Sequence, residues 1–112
     1  FNVFDYHRYD EIVNNLFSEN PGLDGVFTSD INAAYIIQAC HRMGKRVPED
    51  VKVVGYDDTQ VATLLVPRLT TIRQPKEDMA RIALDTVIKQ ITGQEYSLET
   101  SLPVELIVRD SA

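Results

Sequence analysis

The fold is decided by one stretch, Val51-Lys52-Val53-Val54-Gly55-Tyr56-Asp57-Asp58. Its first six residues are rich in β-branched side chains, which predicts a buried strand over residues 51–56. Two carboxylates follow directly. Asp is common in the turns after strands, so the pair is either a solvated turn or part of a binding site.

Helices and strands alternate on the amino-terminal side of this stretch. A short apolar run at residues 1–4 predicts a strand, and apolar residues three and four positions apart over 9–17 predict a helix. Residues 25–28 predict a second strand, and a helix over about 30–43 follows it. The order β-α-β-α-β is typical of a parallel sheet with right-handed crossovers.

The carboxy-terminal side predicts two further strands and one helix. A strand is expected at residues 69–73. Pro75 is suited to the first turn of a helix whose apolar face continues to Ile91. A polar loop at 93–101 leads to a last strand at 102–108. The chain is therefore predicted to be an α/β domain.

Composition excludes several classes of protein. The 112 residues suffice for one domain with a real core. A formal net charge of -6 makes a poor surface for DNA phosphates. No apolar run approaches the ~20 residues that span a bilayer, so no membrane contact is expected. The single cysteine, Cys40, has the spacing of a core residue, and a lone thiol fits a reducing, cytoplasmic compartment.

The candidate binding site follows from the topology. Ligands of open parallel sheets bind beyond the carboxyl ends of the strands, where this chain places Phe4, Ser29 and Asp57 with their neighbours. An aromatic ring, a hydroxyl and carboxylates suit a polyol or sugar. As the alternative, Ser29 and Asp30 serve only as helix caps.

No catalytic or metal site is predicted, and no cofactor. The sequence has no Gly-rich phosphate loop, nucleophile elbow or paired-His motif. His7 and His41 lack a partner at metal-ligand or triad spacing. One catalytic alternative stays open: Asp57 and Asp58 bind a metal or accept a phosphoryl group.

Four ordered segments resemble the effector-binding domains of the lactose-repressor (LacI/GalR) family. They cover almost the whole chain, and the second matches the family pattern nearly residue for residue. The segments are GVFTSDINAA at 25–34, RVPEDVKVVGYDD at 46–58, PRLTTIRQP at 67–75 and LPVELIVRDS at 102–111.

This resemblance implies a two-lobed type I fold like that of periplasmic sugar-binding proteins. Residues 1–112 would form the carboxy-terminal part of the effector-binding domain, a three-layer lobe built on a parallel sheet. The helix at 75–92 would pack on the amino-terminal lobe, which lies outside this sequence together with the DNA-binding head. The chain also opens within a predicted strand and without Met, which favours a fragment.

The resemblance also implies four ligand-binding residues. Asp57 would bind hydroxyls or ring nitrogens of the effector, and Phe4 would stack on it. Ser29 stands where relatives carry a polar contact residue, frequently Asn. Gln74 would reach the cleft or act as a hinge. A sugar or sugar phosphate is the expected effector, with ribose or sucrose as examples and purines or nucleosides less favoured.

The resemblance further implies a homodimer formed through this lobe. Its contact residues would lie on the helix after the second strand and on the segment after the two aspartates. An apolar run at 64–66, in an expected loop, supports this, because exposed apolar patches mark contacts. The alternative is a loop folded back on its own core. The expected contact residues are Ala34, Tyr35, Gln38, Val61, Ala62, Leu64, Leu65 and Val66.

The sequence thus predicts the effector-binding and dimerisation part of a sugar-responsive bacterial repressor, not an enzyme. Operator DNA would be bound only by the head outside this sequence. The alternative is an extracytoplasmic sugar-binding protein of a transporter, which shares the fold.

Overall fold

One four-stranded sheet organises the chain. The computed structural model describes residues 6–112, with side chains from Arg8 onward, so the strand expected at 1–4 lies outside the described residues. The strands follow one another across the sheet in chain order. They are β1 (Gly25–Phe27), β2 (Lys52–Tyr56), β3 (Thr70–Arg73) and β4 (Glu105–Ile107).

The first three strands are parallel, and for β1 and β2 the β-α-β order of the sequence predicted this. Val26 pairs with Val53 between β1 and β2, and Gly55 pairs with Thr71 between β2 and β3. The four helices of the described chain are α1 (Tyr6–Glu19), α2 (Asp30–Arg42), α3 (Gln60–Leu64) and α4 (Lys76–Thr92). Parallel strands place their carboxyl ends at one edge of the sheet, and this edge is the predicted binding rim.

The core lies between one face of the sheet and helices α1 and α2. Phe17 of α1 and Ile37 and Cys40 of α2 belong to one buried cluster with Val53 of β2. The spacing that predicted these helices is therefore the spacing of their buried faces. Cys40 is fully buried, and burial raises the pKa of its thiol; both observations favour a structural role.

The opposite face of the sheet is partly open. The strand registers place one row of apolar side chains on it: Phe27, Val54, Tyr56, Ile72 and Leu106. Phe27 is 64% exposed and Leu106 is 54% exposed. The described residues thus form the sheet and one helical layer of the expected three-layer arrangement.

The last strand departs from a purely parallel sheet, because β4 pairs with β3 in the antiparallel sense. A parallel return would need a crossover packed on the sheet. Helix α4 has no buried residue, so it does not form such a crossover. It ends at Gly93, whose left-handed backbone (φ 68°) is a frequent helix C-terminus.

A short helix, α3, was not predicted. It occupies part of the segment expected to be an exposed loop, and five residues are too few for a periodic pattern to reveal a helix. Within the described part of the chain, no helix is long and apolar enough to cross a bilayer.

Candidate functional site

The site is built around the turn that follows β2. The Asp57 amide donates a hydrogen bond of 2.9 Å to the carbonyl oxygen of Ile72, which extends the β2–β3 pairing to the rim. Asp57 and Asp58 then take positive φ angles of 108° and 47°. Such conformations cost non-glycine residues about 1–3 kcal/mol each and concentrate at functional sites. The turn is therefore held by its surroundings.

The crossover segment after β3 contacts this turn directly. Gln74 Nε2 donates a hydrogen bond of 2.6 Å to Oδ1 of Asp57. Lys76 Nζ donates one of 2.7 Å to the main-chain oxygen of Asp57. Among the described residues, Gln74 is the only side chain that donates to the Asp57 carboxylate. From Arg8 onward, no side chain donates a hydrogen bond to the second oxygen of that carboxylate.

Asp58 is held by two arginines. Its side chain is 8% exposed, and its oxygens lie 2.7 Å from Arg73 Nε and 2.7 Å from Arg109 Nη2. Burial raises the pKa of the Asp58 carboxyl, but hydrogen bonds from Arg109 and Arg73 and their charges outweigh it, so the pKa lies below its ordinary value. The solvated-turn interpretation is therefore wrong for Asp58.

Asp30 connects Thr59, the residue that follows the two aspartates, to the core. Its side chain is buried and accepts hydrogen bonds from the Thr59 amide (2.6 Å), the Thr59 hydroxyl (2.9 Å) and the Thr71 hydroxyl (2.5 Å). Ser29 takes the N-cap position of α2 but makes no side-chain cap hydrogen bond. The interpretation that Ser29 and Asp30 only cap the helix is therefore not supported.

A cavity of about 390 Å³ opens beside the turn. This volume lies within the range of small-molecule sites, roughly 300–1,000 Å³. Two of the four predicted ligand-binding residues, Asp57 and Gln74, line it. The full lining is Asp57, Asp58, Arg73, Gln74, Pro75, Lys76, Glu77 and Asp78.

The other two predicted ligand-binding residues are placed differently. Ser29 is half-buried and is not among the residues that line this cavity. Phe4 lies outside the described residues. The ligand roles of all four remain predictions.

The predicted dimer residues lie on two adjacent elements, α2 and the segment around α3. Leu64 is 71% exposed and Val66 is 80% exposed, whereas Ala62 has no exposed surface. Leu65 packs against the core. Both sequence interpretations thus apply to parts of the segment: it folds partly on its own core and presents two large apolar side chains outward.

Sequence reasoning missed three residues that organise the site: Arg73, Lys76 and Arg109. Arg73 and Lys76 flank Gln74, so a wider view of the crossover would have included them. Arg109 comes from the far end of the chain, 51 positions after Asp58. No local pattern in the sequence could have paired those two residues.

The alternative of a metal or phosphoryl-accepting pair gains no support from the geometry. The charge of Asp58 is already balanced by two arginines, and its side chain is only 8% exposed. From Arg8 onward, no three His, Cys, Asp or Glu side chains lie close enough together to hold a metal ion.

Comparison with known proteins agrees with this architecture. A family model described as periplasmic binding protein-like domain matches residues 5–112. The ribose operon repressor of Halalkalibacterium halodurans is 36% identical over 96% of this chain and 34% of its own length. The chain thus spans about a third of the relatives that it matches.

Solved structures of regulators have the same fold. The transcriptional regulator CelR in complex with cellobiose superposes with a TM-score of 0.87 and 35% identity, over 97% of this chain and 34% of CelR. The Lac repressor bound to ONPG has a TM-score of 0.84 and 28% identity, over 93% of this chain and 32% of the repressor. The chain belongs to the periplasmic binding protein-like domain family and, within it, to the lactose-repressor family of regulators.

Proposed function

We propose that this chain is the effector-binding part of a sugar-responsive bacterial transcriptional repressor. In the complete protein, a sugar bound at the rim of the sheet regulates operator binding. The observation that carries this proposal is the Asp57 carboxylate, fixed by Gln74 at the end of β2 beside a cavity of about 390 Å³. Such a repressor works on DNA in the cytoplasm, so we propose that location as well.

The chemistry of the rim suits hydroxyl groups. The second oxygen of Asp57 accepts a hydrogen bond from a sugar hydroxyl, and the Gln74 side-chain carbonyl accepts another. Hydrogen bonds to an ionised carboxylate are shorter and stronger than neutral ones. Two adjacent acceptors of fixed position therefore select a ligand with neighbouring hydroxyls.

The charges around the cavity favour an uncharged sugar over a sugar phosphate. Four carboxylates line it against two cations, Arg73 and Lys76. Arg73 is already paired with Asp58, and Lys76 is hydrogen-bonded to the main chain of Asp57. An excess of negative charge repels a phosphate group.

The relatives support a regulator rather than a transporter component or an enzyme. Those named above are repressors and a transcriptional regulator. One carries ribose in its name, and one was solved with cellobiose. D-ribose and cellobiose are therefore the first probes for this protein.

The position of the site suggests how a sugar would act at a distance. Gln74 and Lys76 belong to the connection between β3 and α4, and α4 has no residue buried by the described chain. We propose that α4 packs on a second lobe, so that a sugar contacting Gln74 biases the arrangement of the two lobes. Typical coupling free energies are about 1–3 kcal/mol, and a dimer transmits this bias to two DNA-binding heads.

The test is a thermal-shift screen of the complete protein with D-ribose, cellobiose, sucrose, D-ribose 5-phosphate and a nucleoside. A ligand at 100 times its Kd stabilises the native state by about 2.7 kcal/mol, which is a clear shift in Tm. We expect a neutral sugar to raise Tm in the wild type and to have no effect on Asp57→Ala. Operator binding by Asp57→Ala without sugar should equal that of the wild type.

The matched control is Asp110→Asn. Asp110 is an aspartate of the same chain that pairs with Arg68 at 2.8 Å, but it does not line the cavity. This variant should keep the sugar-dependent shift. A shift that persists in Asp57→Ala would refute the assignment of the site, and a shift only with ribose 5-phosphate would refute the preference for a neutral sugar.

A further inference from the structure

The turn that carries Asp57 keeps its conformation through contacts with other parts of the chain. Asp57 and Asp58 both have positive φ angles, and residues with side chains keep such angles only when neighbouring groups fix them. The Asp57 side chain accepts one hydrogen bond from Gln74, and Gln74 belongs to a connecting segment. This single hydrogen bond does not account for the positive φ angles of both aspartates, so further contacts must hold the turn.

Asp58 provides the strongest attachment. Its carboxylate is 8% exposed and bridges two arginines at 2.7 Å each, one per oxygen. Arg109 is itself fixed, because its Nη1 donates a hydrogen bond of 2.9 Å to the Leu69 carbonyl oxygen and its side chain is only 14% exposed. Arg73, by contrast, is half exposed.

The two arginines come from different segments. Arg73 ends β3, immediately before Gln74, and Arg109 follows β4. Asp58 therefore joins the turn to the carboxyl end of β3 and to the segment that follows β4. No other side chain in the described rim makes ion pairs to both segments.

We propose that Asp58 is the positioning residue of the sugar site: its ion pairs with Arg73 and Arg109 hold the turn so that the Asp57 carboxylate meets the ligand. This inference rests on the proposed function of Asp57. The Asp58 side chain is only 8% exposed and each of its oxygens already accepts a hydrogen bond from an arginine, so little of it can contact a sugar. Its effect on binding is therefore indirect.

Replacing Asp58 by Asn removes the charge but keeps the shape of the side chain. The Asn amide carries no charge, and its nitrogen donates where a carboxylate oxygen accepted, so one of the two arginines loses its acceptor. We expect the turn to relax towards ordinary φ angles and the Asp57–Gln74 hydrogen bond to break.

The first arm of the experiment is a crystal structure of the complete protein carrying Asp58→Asn, without ligand. Displacement of the Asp57 carboxylate from Gln74 is the expected result. An unchanged turn, with Asp57 still hydrogen-bonded to Gln74, overturns the proposal whatever the ligand proves to be.

The second arm is calorimetric titration of the wild type and variants with D-ribose and cellobiose. We expect Asp58→Asn to weaken binding about tenfold or more, the scale of a lost hydrogen bond to a charged group. The control Asp110→Asn should bind as the wild type does.

The outcomes separate the two proposals. Wild-type affinity in Asp58→Asn, with binding lost in Asp57→Ala, overturns the positioning role and leaves the proposed function intact. If Asp110→Asn weakens sugar binding equally, the loss is a general effect of removing an ion pair, and the positioning role of Asp58 is overturned too. Retained binding in Asp57→Ala refutes the sugar site itself, and the crystal structure then decides the positioning role. If Asp58→Asn does not fold, Arg73→Gln, which removes the exposed partner, replaces it in both arms.

Discussion

Among the described glycines, Gly55 is the one that other groups approach most closely. It lies in the middle of β2, a place where glycine normally weakens a strand and marks a close approach of other groups. A Cβ atom built on Gly55 would lie 2.3 Å from Asp30 Oδ1 and 2.6 Å from Leu69 Cδ2. Glycine therefore makes room for the buried Asp30 carboxylate, which in turn fixes Thr59 at the end of the turn.

Gly55→Ala should consequently destabilise the protein. Overpacking a tight core typically costs about 1–3 kcal/mol, and here the contacts are a carboxylate and a buried leucine. Urea denaturation should show a lower midpoint with an unchanged slope. Gly22→Ala is the matched control, since a Cβ atom there meets nothing within 4 Å, and its effect should stay within about 0.5 kcal/mol. Equal stability of the two variants would contradict this account of Gly55.

The elements that a local pattern determines were predicted well. Helices α1 and α2 have regular apolar spacing, and β2 is a run of β-branched residues, so both their type and their buried faces follow from the sequence. The glycine at position 93 and the proline at position 75 also mark the ends of α4 as predicted. These signals act over a few residues and need no knowledge of the partner element.

The features that depend on distant partners were not predicted. The direction of β4 is set by its pairing with β3 and by the location of α4. The sequence of residues 102–108 indicates a strand but not its direction. The residues of the candidate site show the same difference between local and distant signals. The position of Asp57 after a strand and the family resemblance of Gln74 placed both residues in the candidate site, and both line the cavity. The Asp58–Arg109 ion pair, by contrast, depends on the closed fold.

Helix α4 is the element least supported by the described chain. None of its residues is buried, yet its large apolar side chains include Ile91, which is 79% exposed. Most helical stability in proteins comes from packing, so a helix without buried residues is only weakly stabilised.

Hydrogen exchange should therefore distinguish two forms of the protein. In the 112-residue chain expressed alone, the amides of α4 should exchange fast, while those of α2, which packs in the core, should remain protected. In the complete protein, α4 should gain protection through contact with a second lobe. Equal, strong protection of α4 in both forms would show that it needs no such partner.

At the scale of the whole molecule, the outward apolar surface around α3 is the feature that points to another copy of the chain. Val66 is 80% exposed and Leu64 is 71% exposed. Ala62 is fully buried, so it supports this surface from within and contributes no contact of its own. Exposed apolar side chains clustered beside a helix are typical of protein contacts.

We expect the complete wild-type protein to be a dimer and its variant Leu64→Asp/Val66→Asp to be a monomer. Two buried charges without partners oppose the contact, whereas both positions are exposed within one chain, so stability of the fold should change by only about 0.5 kcal/mol per site. Light scattering coupled to size exclusion measures the mass directly. Leu98→Asp is the control: Leu98 is 86% exposed but lies in the loop after α4, and its substitution should leave the dimer intact.

A dimer that survives the double substitution would place the contact surface elsewhere. Loss of the dimer with sugar binding retained would show that the rim of the sheet and the surface around α3 work separately within one lobe.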